Sequence, residues 1–124
     1  MQRCAIAIVL AVMAALPAYA QRVFQANALR GELVVTQPPE VLLNDKPARL
    51  APGARIRNPQ NMIQLSGTLV SQRLAVNYTL DAMGMLRDVW ILTDAERNKS
   101  PWPTTPEQAR SWAFDSTMQS WSKP

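Results

Sequence analysis

The sequence contains no histidine, and its single cysteine is Cys4. Without histidine the chain lacks the commonest general base and the commonest transition-metal ligand, which excludes Ser-His and Cys-His nucleophile systems. Cys4 lies in a predicted N-terminal signal peptide, described below. Cleavage of that peptide would leave no thiolate for zinc or for thiol chemistry. The four glycines are dispersed, so the chain has no glycine-rich phosphate loop. We therefore expect a protein that is not an enzyme and that holds no metal and no cofactor.

The remaining enzymatic options depend on lysine or on carboxylates. Lysine occurs three times, at Lys46, Lys99 and Lys123. All three lie in predicted turns or in the C-terminal tail, where a lysine stays solvated and protonated. Asp88 is predicted to share a strand face with Trp90, and an ion pair with a cross-strand arginine such as Arg73 accounts for its charge. A hydrolase that uses carboxylates alone would need Asp88 or Glu96 to face a second carboxylate across a cleft.

The first twenty residues have the layout of a secretory signal peptide. Arg3 gives a positive start, residues 5–16 form an uncharged apolar run, and residues 18–20 read Ala-Tyr-Ala. The apolar run is shorter than the roughly 20 residues of a spanning helix, although an uncleaved anchor is the alternative. Cys4 precedes the apolar run and so cannot be a lipoprotein cysteine. We expect cleavage after Ala20 and a periplasmic or secreted product.

The charge of the processed chain is mildly basic. Cleavage would leave 104 of the 124 residues, with 12 basic residues against 9 acidic ones, a net charge of +3. Such a charge favours acidic partners, for example anionic envelope polymers, but it is too small to indicate nucleic-acid binding. The aromatic residues do not alternate with the arginines as in an oligonucleotide platform. We expect no nucleic-acid partner, and solvated charges on strand faces are the simpler interpretation.

The clearest structural pattern is a β-hairpin that ends at Thr93. From Leu74 to Leu80 the apolar side chains fall on every second residue, which predicts a strand from Arg73 with one dry and one wet face. Gly84 can take the positive φ that the following turn requires. The return strand, residues 85–93, is apolar on both faces, which is typical of a central strand that is covered on both sides.

Short apolar stretches and turn signals precede this hairpin. Further strands are predicted at residues 28–36, 40–43, 48–50, 54–57 and 62–65. Turns are predicted at residues 37–39, 44–47, 52–53 and 58–61. Residues 66–72 either extend the next strand or form a loop that buries Leu69 and Val70. About seven short strands indicate an all-β domain over residues 28–93, either an OB-like or SH3-like barrel or, alternatively, a compact β-sandwich.

The two ends of the processed chain are predicted to be accessory segments. Residues 21–27 form a polar, flexible lead-in. Thr93 or Asp94 can cap a helical turn over residues 95–99, and a second helix starts at Thr105-Pro106 and runs to about Phe114. A polar tail follows. Residues 94–124 are too few for a core of their own, so we expect a helix-containing appendage that lies across the barrel.

Three tryptophans lie in this predicted appendage, at Trp102, Trp112 and Trp121. Exposed tryptophans favour partner surfaces or sugar faces, because a large flat ring gains contact area at low entropic cost. The alternative is that the rings pin the appendage to the barrel, a clasp that a small domain without cysteine needs.

Three sequence motifs carry a resemblance to other proteins: the turn NDKP at residues 44–47, the segment PGARIR at 52–57, and the hairpin that runs from YTLD to VWIL within residues 78–92. In these motifs, and over residues 33–112 as a whole, the chain resembles a group of small exported proteobacterial proteins that are functionally uncharacterised. The resemblance implies export and a compact β domain. It implies no activity and no site residues.

Our first hypothesis is a non-enzymatic periplasmic binding or accessory module that recognises another envelope protein. The predicted partner-binding residues are Trp102, Trp112, Trp121, Arg55 and Arg57. The alternative is a module that binds a small anionic ligand or glycan through arginines that converge on one concave face. Those arginines are Arg49, Arg55, Arg57 and Arg73. The sequence leaves the oligomeric state open.

Overall fold

The structure is a computed structural model that describes residues 22–124, so the predicted signal peptide lies outside the described residues. Five strands build the main sheet: β1 Leu29–Gln37, β2 Glu40–Leu43, β3 Lys46–Arg57, β4 Arg73–Leu80 and β5 Leu86–Ile91. The C-terminal part contains α1 Asp94–Arg97, α2 Pro106–Ser111, β6 Ala113–Asp115 and β7 Ser120–Ser122. Within residues 22–124, no helix has the length and apolarity to cross a membrane.

The five main strands close into one barrel in the order β1-β2-β3-β5-β4. β1 pairs with β2 on one side and with β4 on the other, and both pairings are antiparallel. β3 and β5 are parallel neighbours, since the chain crosses over between β3 and β4. The expected small all-β fold is confirmed. Its five strands and crossover match the OB-like barrel, and a single sheet that closes on itself is not a sandwich.

β3 differs from its sequence-based prediction. Residues 48–50 and 54–57 were expected to be two strands separated by a turn at Pro52-Gly53, but they belong to one strand of 12 residues. Gly53 has φ +76°, and the register shifts between Leu50 and Arg55. A positive-φ glycine fits a β-bulge as well as a turn. The bulge lies between the half of β3 that pairs with β2 and the half that pairs with β5.

The long connection between β3 and β4 contains less strand than predicted. Of the expected strand at residues 62–65, only an isolated bridge between Ile63 and Arg57 forms. Residues 66–68 form a 3-10 turn, which settles the open choice for residues 66–72 in favour of a loop. This loop buries Leu69 but leaves Val70 42% exposed. β4 begins at Arg73 as predicted.

Two apolar clusters lie on opposite faces of the β4–β5 hairpin. The barrel core contains Val76, Tyr78 and Val89 together with apolar side chains of β1, β2 and β3. The second cluster lies outside the barrel around Trp90. β5 is therefore covered on both faces, as predicted. The predicted wet face of β4 is wrong at its centre, because Asn77 is 0% exposed beneath the segments that cover this side.

The appendage departs most from the prediction. α2 begins at Pro106 after a Thr105 cap, as expected, but it ends at Ser111 rather than near Phe114. The end of the predicted helix and the expected polar tail at residues 115–124 instead form the antiparallel pair β6–β7, in which Phe114 lies opposite Trp121. α1 has a capping box formed by Thr93 and Glu96, which confirms one of the two predicted caps.

Candidate functional site

A cavity of about 520 Å³ lies between the barrel and its accessory segments. The N-terminal segment contributes Arg22 and Phe24, the first barrel strand contributes Arg30, and the chain from Thr93 to Trp102 forms much of the remaining wall. This volume lies within the usual range of small-molecule sites. The cavity is built from both ends of the described chain, so it exists only while both ends are packed against the barrel.

Aromatic rings form the apolar wall of the cavity. Phe24 is 4% exposed, and its ring meets Trp102 edge to face at a centroid distance of 5.7 Å and Trp90 at 5.5 Å. The indole nitrogen of Trp102 donates to the carbonyl of Ala28 at 2.9 Å. The backbone amide of Phe24 donates to the Gln119 side chain at 2.8 Å. The predicted flexible lead-in is therefore packed at Phe24, and the rings form a fixed surface.

Arg22 and Glu96 form a buried ion pair in the cavity wall, with side chains that are 9% and 11% exposed. Arg22 Nε donates to Glu96 Oε2 at 2.9 Å, and its terminal nitrogens reach the carbonyls of Asn58 and Ile91. Burial opposes the charge of Glu96, but hydrogen bonds from Arg22 and from the Thr93 amide hold its pKa below the usual value. The two charges therefore balance each other inside the wall.

Arg30 is a cation whose hydrogen bonds go to neutral groups. Nε donates to Asn77 Oδ1 at 3.1 Å, and Nη1 donates to the carbonyl of Lys99 at 2.7 Å. The guanidinium lies 4.9 Å from the Trp102 ring centroid. Burial lowers the pKa of Arg30, and the charge of nearby Glu96 opposes this shift. An arginine remains protonated even so, and the wall of the cavity keeps a positive charge.

Lys99 adds a second cation of this kind. Its ammonium donates to the carbonyl of Met118 at 3.0 Å, on the exposed side, and lies 3.4 Å from the carbonyl of Gln119. Within residues 22–124, neither Lys99 nor Arg30 forms a salt bridge, whereas Asp94 pairs with Arg97 in addition to the buried pair already described. The charged groups at the cavity therefore leave two positive charges without a carboxylate partner.

The interior around Trp102 is short of hydrogen-bond acceptors. Within residues 22–124, three buried side-chain atoms have no hydrogen-bond partner: Arg30 Nη2, Asn77 Nδ2 and Trp121 Nε1. All three are nitrogen donors, and the side chains of Arg30 and Asn77 are hydrogen-bonded to each other. Buried donors without acceptors are costly. Among these three residues only Arg30 lines the cavity, and its Nη2 is enclosed, so the preference of the cavity for an anion rests on the charges of Arg30 and Lys99.

The structure places the predicted tryptophan surface mainly in the interior. Trp102 is 6% exposed and Trp121 is 5% exposed, with a centroid distance of 6.1 Å between their rings. Trp112 is half-buried, and Lys123 lies 5.4 Å from its ring centroid. The prediction that all three rings contact a partner does not fit this burial. The alternative interpretation fits, since the rings clasp the appendage onto the barrel.

The predicted arginine face is divided among different strand pairs. Arg49 pairs with Glu40 across β2 and β3 at 3.5 Å, and Arg73 pairs with Glu32 and Asp45. Arg55 is exposed at the other end of β3. The side chain of Arg73 is 65% exposed. None of the four predicted arginines lines the cavity described above.

The two carboxylates of the hydrolase hypothesis, Asp88 and Glu96, both form ion pairs with arginines. Asp88 lies 3.7 Å from Arg57 on the neighbouring β3, so the predicted ion pair with a cross-strand arginine is observed, with Arg57 in place of the suggested Arg73. Arg57 also lies 5.9 Å from the ring centroid of Trp90. Glu96 is bound by Arg22. Within residues 22–124, no group of three His, Cys, Asp or Glu side chains has metal-binding geometry.

The cations of the cavity were not predicted from the sequence. Arg22 contacts a carboxylate 74 positions away, and Arg30 contacts an amide 47 positions away, so no local pattern marks either residue. Comparison of the chain with protein-family models, curated proteins and solved structures returned no match.

Proposed function

We propose that the protein is an exported, non-catalytic binding module whose cavity takes up a small anionic molecule. The observation that carries this proposal is the pair of cations, Arg30 and Lys99, which contact only neutral acceptors beside an apolar wall. The layout of residues 1–20 supports export. Anion binding was the alternative hypothesis from the sequence, and the geometry favours the cavity over the predicted arginine face.

The state of Glu96 supports binding rather than catalysis. A general acid at neutral pH needs a raised pKa, whereas Arg22 and the Thr93 amide hold the pKa of Glu96 below its usual value. Both of its oxygens accept hydrogen bonds from Arg22. A carboxylate held in this way is a poor proton donor and a poor nucleophile, and its structural role is to anchor the N-terminal segment.

A cavity-blocking variant tests the proposal. Anilinonaphthalene sulfonate, an anion with an apolar body, serves as the fluorescent probe. Ala95 is exposed and lines the cavity, so Ala95→Trp places a bulky ring there. Ala82 is equally exposed in the β4–β5 turn, and Ala82→Trp is the matched control.

We expect Ala95→Trp to weaken probe binding at least about tenfold, or ~1.4 kcal/mol, while Ala82→Trp leaves it unchanged. Equal binding by both variants and by the wild type would overturn the proposal. Circular dichroism spectra of the two variants confirm that each retains the fold.

A second candidate function is recognition of another envelope protein through the connection between β3 and β4. No charged residue occurs from position 58 to position 72. Met62, Ile63 and Leu65 are 60%, 60% and 75% exposed. An uncharged surface with exposed apolar side chains is typical of an interface core.

Capture from envelope extract at high salt tests this second candidate. The variant Ile63→Ser, Leu65→Ser should lose a partner that the wild type keeps. Met83 is 81% exposed in the β4–β5 turn, so Met83→Ser is the control. A partner retained by the double variant would exclude this surface.

A further inference from the structure

The two sides of the cavity differ in chemistry, and this difference specifies the class of ligand. The inference rests on the proposed function. We infer that the ligand is an amphipathic monoanion: an apolar body lies against Phe24 and Trp102, and a single anionic group lies at Lys99. The chemical class is that of a free carboxylic acid with a medium-length hydrocarbon body.

The positive side of the cavity fixes the position of the anionic group. Arg30 Nη2 is enclosed, so this guanidinium acts on a ligand mainly through its charge. The ammonium of Lys99 lies on the exposed side, where the donor capacity that the Met118 and Gln119 carbonyls leave unused can bond a ligand oxygen directly. Lys99 is therefore the residue that contacts the anionic group, and Arg30 adds to the field at that point.

The charged residues of the same wall limit the number of anionic groups on the ligand. Asp94 and Glu96 both line the cavity. Their charges are matched by Arg97 and Arg22, so neither carboxylate draws a further cation to the wall. Arg30 has no nitrogen free to bond a ligand, so Lys99 alone can bond an anionic group directly, and a ligand with one such group uses it fully.

The apolar side of the cavity explains why a bare anion is a poor fit. Phe24 and Trp102 face the cavity with rings that are held in edge-to-face contact, and Pro59 and Ala95 continue this surface. A small inorganic ion would leave this apolar surface in contact with water. A hydrocarbon body removes it from water, so affinity should rise with the length of the body.

Three probes separate the contribution of the apolar body to binding from that of the anionic group. Decanoate, below its micelle concentration, carries both halves of the inferred ligand, decanol carries the apolar half alone, and acetate carries the anionic half alone. Binding to the purified protein is measured by isothermal titration calorimetry at low salt. We expect decanoate to bind at least about tenfold more tightly than decanol and far more tightly than acetate.

A charge-removing variant locates the anionic group. Lys99→Gln should weaken decanoate binding about tenfold and leave decanol binding unchanged. Lys46 is exposed at the start of β3, and Lys46→Gln removes the same charge away from the cavity as a matched control. Decanoate should bind this control as it binds the wild type.

The possible failures are distinguishable. If acetate binds as tightly as decanoate, and Ala95→Trp blocks both, the cavity takes up anions and only the amphipathic inference falls. If decanol matches decanoate and Lys99→Gln changes neither, the inference and the anionic part of the proposed function both fall. If none of the three probes binds but Ala95→Trp still blocks anilinonaphthalene sulfonate, only the inference falls, and if that probe does not bind either, the proposed function itself is overturned.

Discussion

At the scale of single residues, the pair of Arg22 and Glu96 determines how stability depends on pH. The folded protein holds the pKa of Glu96 below the unfolded value of about 4.3, so the pair contributes its full stability above that pH. This contribution is lost as the pH falls through the lower, folded pKa, because protonation neutralises Glu96 and leaves Arg22 buried without a counterion. Stability should therefore decline in acid.

Glu96→Gln tests this dependence. Removing one member of a buried pair should lower the free energy of unfolding by about 3 kcal/mol at pH 7. The difference from the wild type should shrink as the pH falls below about 4. Urea unfolding across this pH range provides the measurement. Glu107 pairs with Arg110 on the surface of α2, so Glu107→Gln should cost less than about 0.5 kcal/mol. A difference for Glu96→Gln that stays constant into acid would contradict the assignment.

At the scale of elements, the β6–β7 hairpin depends on its aromatic contacts. Two strands of three residues are too short to be stable alone. Trp121 holds them through Phe114, at a centroid distance of 4.7 Å, and through Trp102. The ring contacts therefore decide whether the C-terminal part of the chain stays docked.

Trp121→Ala should lower the free energy of unfolding by about 3 kcal/mol. Amide hydrogen exchange should accelerate in β6 and β7 while the barrel strands stay protected. Trp112 is only half-buried, and Trp112→Ala should have a smaller effect. Equal loss of protection throughout the barrel would show that the appendage is not a separate layer.

The bulge in β3 leads to a separate prediction about the effect of Gly53 on stability. Gly53 has φ +76°, a conformation that costs other residues about 1 kcal/mol, so Gly53→Ala should destabilise the protein by roughly that amount. Gly67 has open space around it and no positive φ, so Gly67→Ala is the matched control and should be nearly neutral. Thermal unfolding distinguishes the two. Equal effects of both substitutions would contradict the role of the bulge.

The elements that could be predicted from the sequence are those with strong local patterns. β2 matches its predicted bounds, and β4 begins where its alternation begins. β3 was divided in two because Pro52-Gly53 has the composition of a turn whether it reverses the chain or bends a strand. β6 and β7 were missed because a strand of three residues is too short to show a periodicity. The cavity was missed because its cations meet partners that are distant in the sequence.

At the scale of the whole molecule, the barrel acts as a support, and the candidate site lies where the N-terminal and C-terminal segments of the described residues meet. Phe24 comes from the N-terminal segment, and Lys99 and Trp102 come from the segment after α1. A bound ligand should therefore stabilise the docked state and raise the melting temperature. Trp121→Ala should weaken the binding of decanoate even though Trp121 does not line the cavity.

An NMR titration of the isotope-labelled protein with anilinonaphthalene sulfonate shows directly whether a small anion binds between the barrel and its accessory segments. The largest shifts should occur at the Phe24 amide, at the amides from Thr93 to Lys99, and at the indole NH of Trp102. Shifts confined to residues 62–65, with these signals unchanged, would contradict binding in the cavity and favour the exposed connection between β3 and β4 as the binding surface.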